Sequence, residues 1–198
     1  MEKRRKVSNP LALAVLVYLM AEPMHAYELG RRLQEHGKDR SIKYNRGSLY
    51  MVVEQLRKAG FVAERETVRD TQRPERTIYG ITEAGRAELY DWMRELVAVP
   101  REEYPSFGVA LSLLAVLAPA EGAGLLGRRL AALTEQAEEV RGVLRQAGED
   151  QVHWVFLAEE RYRLALVEAE MRFAADLAES LKDPAYERAW QRMREDMT

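Results

Sequence analysis

Apolar residues in the first sixty positions recur three and four apart in three separate runs, each closed by a helix breaker. That spacing places them on one side of an α-helix, so each run predicts a short amphipathic helix turned toward a shared core. In the first, Asn9 caps a helix with Pro10 in its opening turn, Leu11, Ala14, Val15, Tyr18 and Leu19 form the buried stripe, and Pro23 ends it. The second covers about residues 25–36, buries Tyr27, Leu29 or Gly30, and Leu33, exposes Arg31, Arg32 and Glu35, and stops at Gly37. A polar, basic link, 38–44, leads to the third. There Asn45 is the cap, able to accept from the backbone N–H of Gly47 or Ser48, and Leu49, Val52, Val53 and Leu56 face inward. Arg46, Ser48, Tyr50, Met51, Glu54, Gln55 and Lys58 face outward; Lys58 suits the negative end of the helix dipole, and Gly60 supplies a left-handed stop.

After Gly60 the period changes. The stretches 61–68 and 76–81 read as two strands joined by a polar turn with Arg69 and Arg73 at its tip, which predicts a hairpin. Three short helices with tight joints match a helix-turn-helix, whose last helix enters the major groove of DNA, and the hairpin makes it a winged helix. Arginines at the tip then lie where a wing meets phosphate or the minor groove.

Three stretches carry a resemblance: PMHAYEL at 23–29, NRGSLYMVVEQLRKAGFV at 45–62 and PERTIYGITEAGR at 74–86. In this order they resemble the successive motifs of the PadR family of transcriptional regulators, over about the first ninety residues. Ala26 stands where that family usually has Gly, and Arg46 where it usually has Pro, which removes a rigid first turn and adds a cation near the groove. The resemblance implies a DNA-binding N-terminal domain and a C-terminal half that dimerises through long helices.

The second half is predicted to be helical. A linking helix, 82–99, carries Leu89, Trp92, Met93 and Leu96 on one stripe and ends at Pro100. The charged segment 101–106 marks a boundary. The stretch 107–117 is apolar almost all round, so it is expected to be buried on most sides. Pro119 opens a helix in which Leu126, Leu130, Leu133, Ala137, Val140 and Leu144 follow a near-heptad course. A last helix, about 151–181, shows two heptad rows, Leu157, Leu164, Met171 and Ala178 beside Val167, Ala174 and Leu181. Such a seam wants a partner helix, from the same chain, a second chain, or both. The expected fold class is mainly α with a small β-hairpin: a winged helix-turn-helix domain, 1–100, then a helical dimerisation domain, 101–198.

Charge sharpens this picture. The net charge of −2 conceals two unlike halves: residues 1–86 hold 17 Lys and Arg against 11 Asp and Glu, and residues 87–198 hold 13 against 21. A basic front half suggests an anionic partner there, while chance variation between helices is the plain alternative. With no cysteine, disulfides, thiolate metal sites and a thiol nucleophile are excluded, which fits the cytoplasm. The basic start followed by ten apolar residues, 11–20, imitates a signal peptide but is too short to span a bilayer, so no membrane segment is expected. His25, His36 and His153 are far apart, and no Gly-rich phosphate loop with a Lys-Ser/Thr end is present, so neither a metal, a cofactor nor an enzyme is expected.

The candidate DNA-binding residues are therefore Lys43, Tyr44, Asn45, Arg46, Ser48, Tyr50, Gln55, Arg73 and Arg76. Arg46 suits guanine or phosphate and Gln55 suits adenine, while Ser48 and Tyr50 suit the backbone. Lys43, Tyr44, Arg73 and Arg76 are phosphate candidates, against the reading of a solvated charged turn; the Tyr50 ring has the alternative of packing under a neighbouring loop. The lead Lys3, Arg4, Arg5 and Lys6 either touches DNA or is disordered. Trp92 and Trp154 are candidates for an effector pocket, since a flat aromatic ligand suits aromatic walls, with core packing as the alternative. The resemblance implies phenolic or drug-like aromatic effectors. The expected function is a homodimeric repressor on double-stranded DNA at a near-palindromic site; a winged-helix adaptor that binds protein is the alternative.

Overall fold

The structure is a computed structural model, and it describes residues 5–38, 41–68 and 76–195. The chain forms two compact units, Met1–Glu102 and Glu103–Thr198.

The first unit runs α1 (Pro10–Ala21), β1 (Met24–His25), α2 (Ala26–Glu35), α3 (Arg46–Lys58), β2 (Val62–Val68), β3 (Arg76–Ile81) and α4 (Glu83–Ala98). The strands make an antiparallel sheet in the order β1-β3-β2, with Met24 opposite Tyr79 and Val62 opposite Ile81. A bulge between Glu64 and Glu66 bends β2. The core gathers Leu11, Val15, Leu16 and Leu19 from α1, Leu29 and Leu33 from α2, and Leu49, Val52, Val53 and Leu56 from α3, with Val62, Ile81, Leu89 and Trp92 closing it. Each such aliphatic side chain contributes about 1.5–3 kcal/mol by leaving water, which is why α3 is held at a fixed angle.

Helix ends form where the sequence places them. The Asn9 side chain accepts from the Leu11 N–H, and Gly37 and Gly60 take φ of 63° and 80°. Three expectations are corrected in this unit. Tyr27 is 55% exposed, and Ala26 takes the inward position instead, because β1 pairs with β3 and rotates the start of α2. Met93 and Leu96 stay exposed on α4, whose inward stripe is Gly85, Leu89 and Trp92. Arg5 is neither disordered nor solvated: its side chain is 2% exposed, held by carboxylates of α4.

The second unit runs α5 (Ser106–Ser112), a 3-10 turn at Leu114–Val116, α6 (Pro119–Glu149), a 3-10 turn at Trp154–Leu157, α7 (Ala158–Ser180) and α8 (Pro184–Glu195). Leu126 of α6 meets Ala174 of α7 and Leu181, and Arg129 and Arg141 of α6 bond Glu170 and Glu168 of α7 at 2.5 and 2.7 Å. The expected single helix 151–181 is broken: Gln151 takes φ 55°, the Val152 N–H turns back to the Ala147 carbonyl, and α7 starts only at Ala158. A further helix, α8, docks by the Trp190 indole N–H on the Ala115 carbonyl at 2.8 Å. The apolar stretch 107–117 is not buried by its own chain. Helix α5 ends after seven residues, and Val109, Leu113 and Val116 remain more than half exposed. Among the described residues no helix is long and apolar enough to cross a membrane.

Candidate nucleic-acid interface

The start of α3 is fixed by a reciprocal cap. The Asn45 side chain accepts from the Ser48 N–H at 2.8 Å, the Ser48 hydroxyl accepts from the Asn45 N–H at 2.8 Å, and that hydroxyl donates to the Asn45 carbonyl at 2.9 Å. Both side chains are thus engaged in opening the helix. From there Arg46, Tyr50, Met51 and Gln55 are exposed on the side away from the core.

Two concavities flank this face. Between α2 and α3 lies a cleft of about 200 Å³ lined by Tyr27, Arg31, Gln34, Tyr44, Arg46 and Tyr50. The Arg46 guanidinium sits 5.5 Å from the Tyr27 ring centre, so the exposed tyrosine holds the cation by its π face. Tyr44 packs its ring on the core edge, and Lys43 is exposed beside it. On the opposite flank Gln55 and Lys58 border an open polar groove with Lys6, Ser8 and Asn9.

The lead reaches that groove because Arg5 is anchored. Its Nη1 donates to Glu88 at 2.6 Å and to Asp91 at 3.1 Å, its Nη2 donates to Glu95, and its guanidinium lies 5.4 Å from the Trp92 ring centre. Glu95 also accepts from Arg101 at 2.6 Å; that bond and the one from Arg5 push its carboxyl below the usual range. Sequence reading missed this cluster, whose only local signal was the row Glu88, Asp91 and Glu95 at helical spacing.

Acidic groups beside the face are neutralised. Hydrogen bonds from Arg57 hold the Glu54 carboxyl at about 2. Bonds from Arg31 and then Arg32 do the same for Glu28, also at about 2. Arg76 opens β3, while Arg73 and the rest of the hairpin tip lie outside the described residues. Trp92 is a core side chain of the first unit at 2% exposure, and Trp154, in the second unit, is 59% exposed with the His153 ring 5.7 Å away. Among the described residues no group of three or more His, Asp or Glu side chains is arranged to hold a metal ion.

The winged-helix unit coincides with a family match. Residues 15–91 match the model of the transcriptional regulator PadR-like family. No protein of curated function matches the chain. Among solved structures it is similar to Bacillus subtilis PadR in complex with operator DNA, at 16% identity and a TM-score of 0.72 over 88% of this chain and 100% of that one. It is similar to the same protein in complex with p-coumaric acid at 14% identity and a TM-score of 0.66, over 89% and 99% of the two chains. A PadR-like transcriptional regulator from Bacillus cereus follows at 16% identity and 0.58, over 87% and 98%. At these identities the likeness is one of fold, a winged helix followed by long helices. The matched segment 15–91, which includes α3 and all three strands, is a domain of the PadR-like family of transcriptional regulators within this chain.

Proposed function

We propose that this chain is a sequence-specific repressor that binds a near-palindromic promoter site in the cytoplasm as a homodimer and is released by a small aromatic molecule. The observation that carries the reading is the outer face of α3: a rigidly capped helix presenting Arg46, Tyr50, Met51 and Gln55 to solvent, flanked by Lys43 and Lys6. Such a face fits the major groove, with cations for phosphate and amide and guanidinium groups for base edges. Arg73 and Arg76 of the hairpin complete the proposed set.

The dimer is supported by apolar surface that the single chain leaves open, Val109, Leu113 and Val116 above all. Burying large apolar side chains of this kind favours a second copy. A two-fold dimer places two recognition helices about 34 Å apart, one turn of DNA. For the effector, the exposed Trp154 ring offers a wall for a flat ligand, and Trp92 would take part only through movement of the core around it. Since the relative in complex with p-coumaric acid shares this fold, a phenolic compound is the first class to try. Release requires the ligand to prefer one dimer geometry over the other.

The test is selection from a random DNA pool at near-physiological salt, with oligomeric state followed by light scattering. Enrichment of an inverted repeat by a dimer is expected, with affinity falling linearly on a log–log scale as salt rises. A folded dimer that enriches nothing, with or without aromatic acids, would overturn the reading.

A further inference from the structure

The residues of α3 that point directly away from the core are Gly47, Met51, Glu54 and Lys58, four, three and four positions apart and opposite Leu49, Val52, Val53 and Leu56. Of these, Glu54 is the hydrogen-bonding group nearest the middle of the face, since Lys58 is in the last turn. A bare carboxylate there would be repelled by the phosphates of DNA. This one is offset by two cations. Arg57 donates from Nε to Oε2 at 2.7 Å and from Nη2 to Oε1 at 2.9 Å, and the Lys58 ammonium lies 3.6 Å from Oε1. Arg57 also lies 3.8 Å from a Glu64 oxygen, so the two cations balance the two carboxylates, and Oε2 of Glu54, which takes a single bond from Arg57, keeps a free lone pair.

Held at about 2, the group is ionised at neutral pH and can only accept. In the major groove, guanine offers acceptors at N7 and O6 and thymine an acceptor at O4, all of which repel it. Adenine sets an acceptor at N7 beside its N6 amine. Cytosine presents the N4 amine as its own groove edge, so it alone offers a donor without an adjacent acceptor on the same base.

We propose that Glu54 is a specificity-determining residue that accepts a hydrogen bond from the N4 amine of a cytosine, with Arg57 as the positioning residue that orients its carboxylate. This rests on the DNA-reading function proposed above.

The experiment is selection from a random DNA pool by the full chain, the Glu54→Gln variant and the Glu54→Ala variant, each checked for helix content by circular dichroism. In the unaltered protein, replacing one particular cytosine should weaken binding about tenfold. Glu54→Ala should remove that penalty, and Glu54→Gln should move the preference toward adenine. If both variants keep the same motif and bind every site more tightly by a common factor, Glu54 is only a charge neutralised by Arg57 and the proposal is overturned while the DNA-reading function stands. If the unaltered protein selects no motif, both fall together.

Discussion

The hydroxyl of Thr82 donates to the carbonyl of Gly60 across 2.7 Å, which fastens the turn that ends α3 to the turn that starts α4. The same oxygen accepts from the Gly85 N–H at 3.0 Å, so one side chain both caps α4 and ties it to the end of α3. The fit is close: a Cβ on Gly85 would stand 2.1 Å from the Phe61 carbonyl oxygen, which is backbone. Gly85→Ala should therefore cost about 3 kcal/mol by forcing α4 away, and Thr82→Ala about 1 kcal/mol through the lost cap. Urea denaturation measures both, and a cost below about 0.5 kcal/mol for Gly85→Ala would contradict the close approach.

Arg5 carries the second prediction. Removing it takes away the cation that Glu88, Asp91 and Glu95 share, while Glu95 keeps its bond from Arg101. Arg5→Met should destabilise the first unit by about 2 kcal/mol, less than for a fully buried pair because Asp91 stays half open to water. The double variant Arg5→Met/Glu95→Gln should cost less than the sum of the two singles. Full additivity would show that the guanidinium is not coupled to Glu95.

Acid behaviour follows from Glu28 and Glu54. Both have folded-state carboxyl values of about 2 against an ordinary 4.5. A depressed carboxyl contributes stability that is present above its unfolded value and lost as pH falls through its folded one. The stability difference between the unaltered protein and Glu28→Gln should therefore hold at neutral pH and shrink from about pH 4.5 down to about pH 2. A difference that stays constant over that window argues against the Arg31 and Arg32 bonds to Glu28.

How much of this the sequence disclosed depended on range. Helix α3 was legible because its cap, its apolar spacing and its Gly60 stop all lie within sixteen residues. Strand β1 was not, because two residues have no period and are defined only by pairing with Ile78 and Tyr79. Tyr27 went with it, since that pairing sets the rotation of α2. Arg5 was hidden because its partners lie more than eighty positions along the chain. In the second unit, apolar richness at 107–117 was taken for burial, but the break at Leu113 leaves those side chains without cover from their own chain. On the candidate face, periodicity puts Arg46, Tyr50 and Gln55 outside and they are exposed; the Asn45 cap on the Ser48 N–H is equally readable, whereas the return bond to the Ser48 hydroxyl has no signal in spacing alone.

Salt dependence separates the proposed roles on DNA. Arg46→Ala and Lys43→Ala should each lower the log–log salt slope by about 0.9 wherever the side chain meets a phosphate. Gln55→Ala should leave the slope unchanged and flatten the preference at one base position. A slope change for Gln55→Ala, with the motif intact, would reverse that assignment.

The open apolar side chains of the second unit yield a concentration effect. With a second copy covering Val116, which is 81% exposed in the single chain, thermal stability should rise with protein concentration. Val116→Asp should abolish that rise and give a monomer by light scattering. A melting temperature independent of concentration would place the partner surface elsewhere.

The reciprocal cap at Asn45 and Ser48 also bears on retargeting. Randomising those two positions would weaken the helix that carries the proposed reading groups, at about 1 kcal/mol for the Asn45 cap alone. Positions 46, 50, 51, 54 and 55 are outward and make no core contact, so a library confined to them varies what is read while the helix stays folded. Divergence in site preference between chains of this architecture has the same freedom and the same bound.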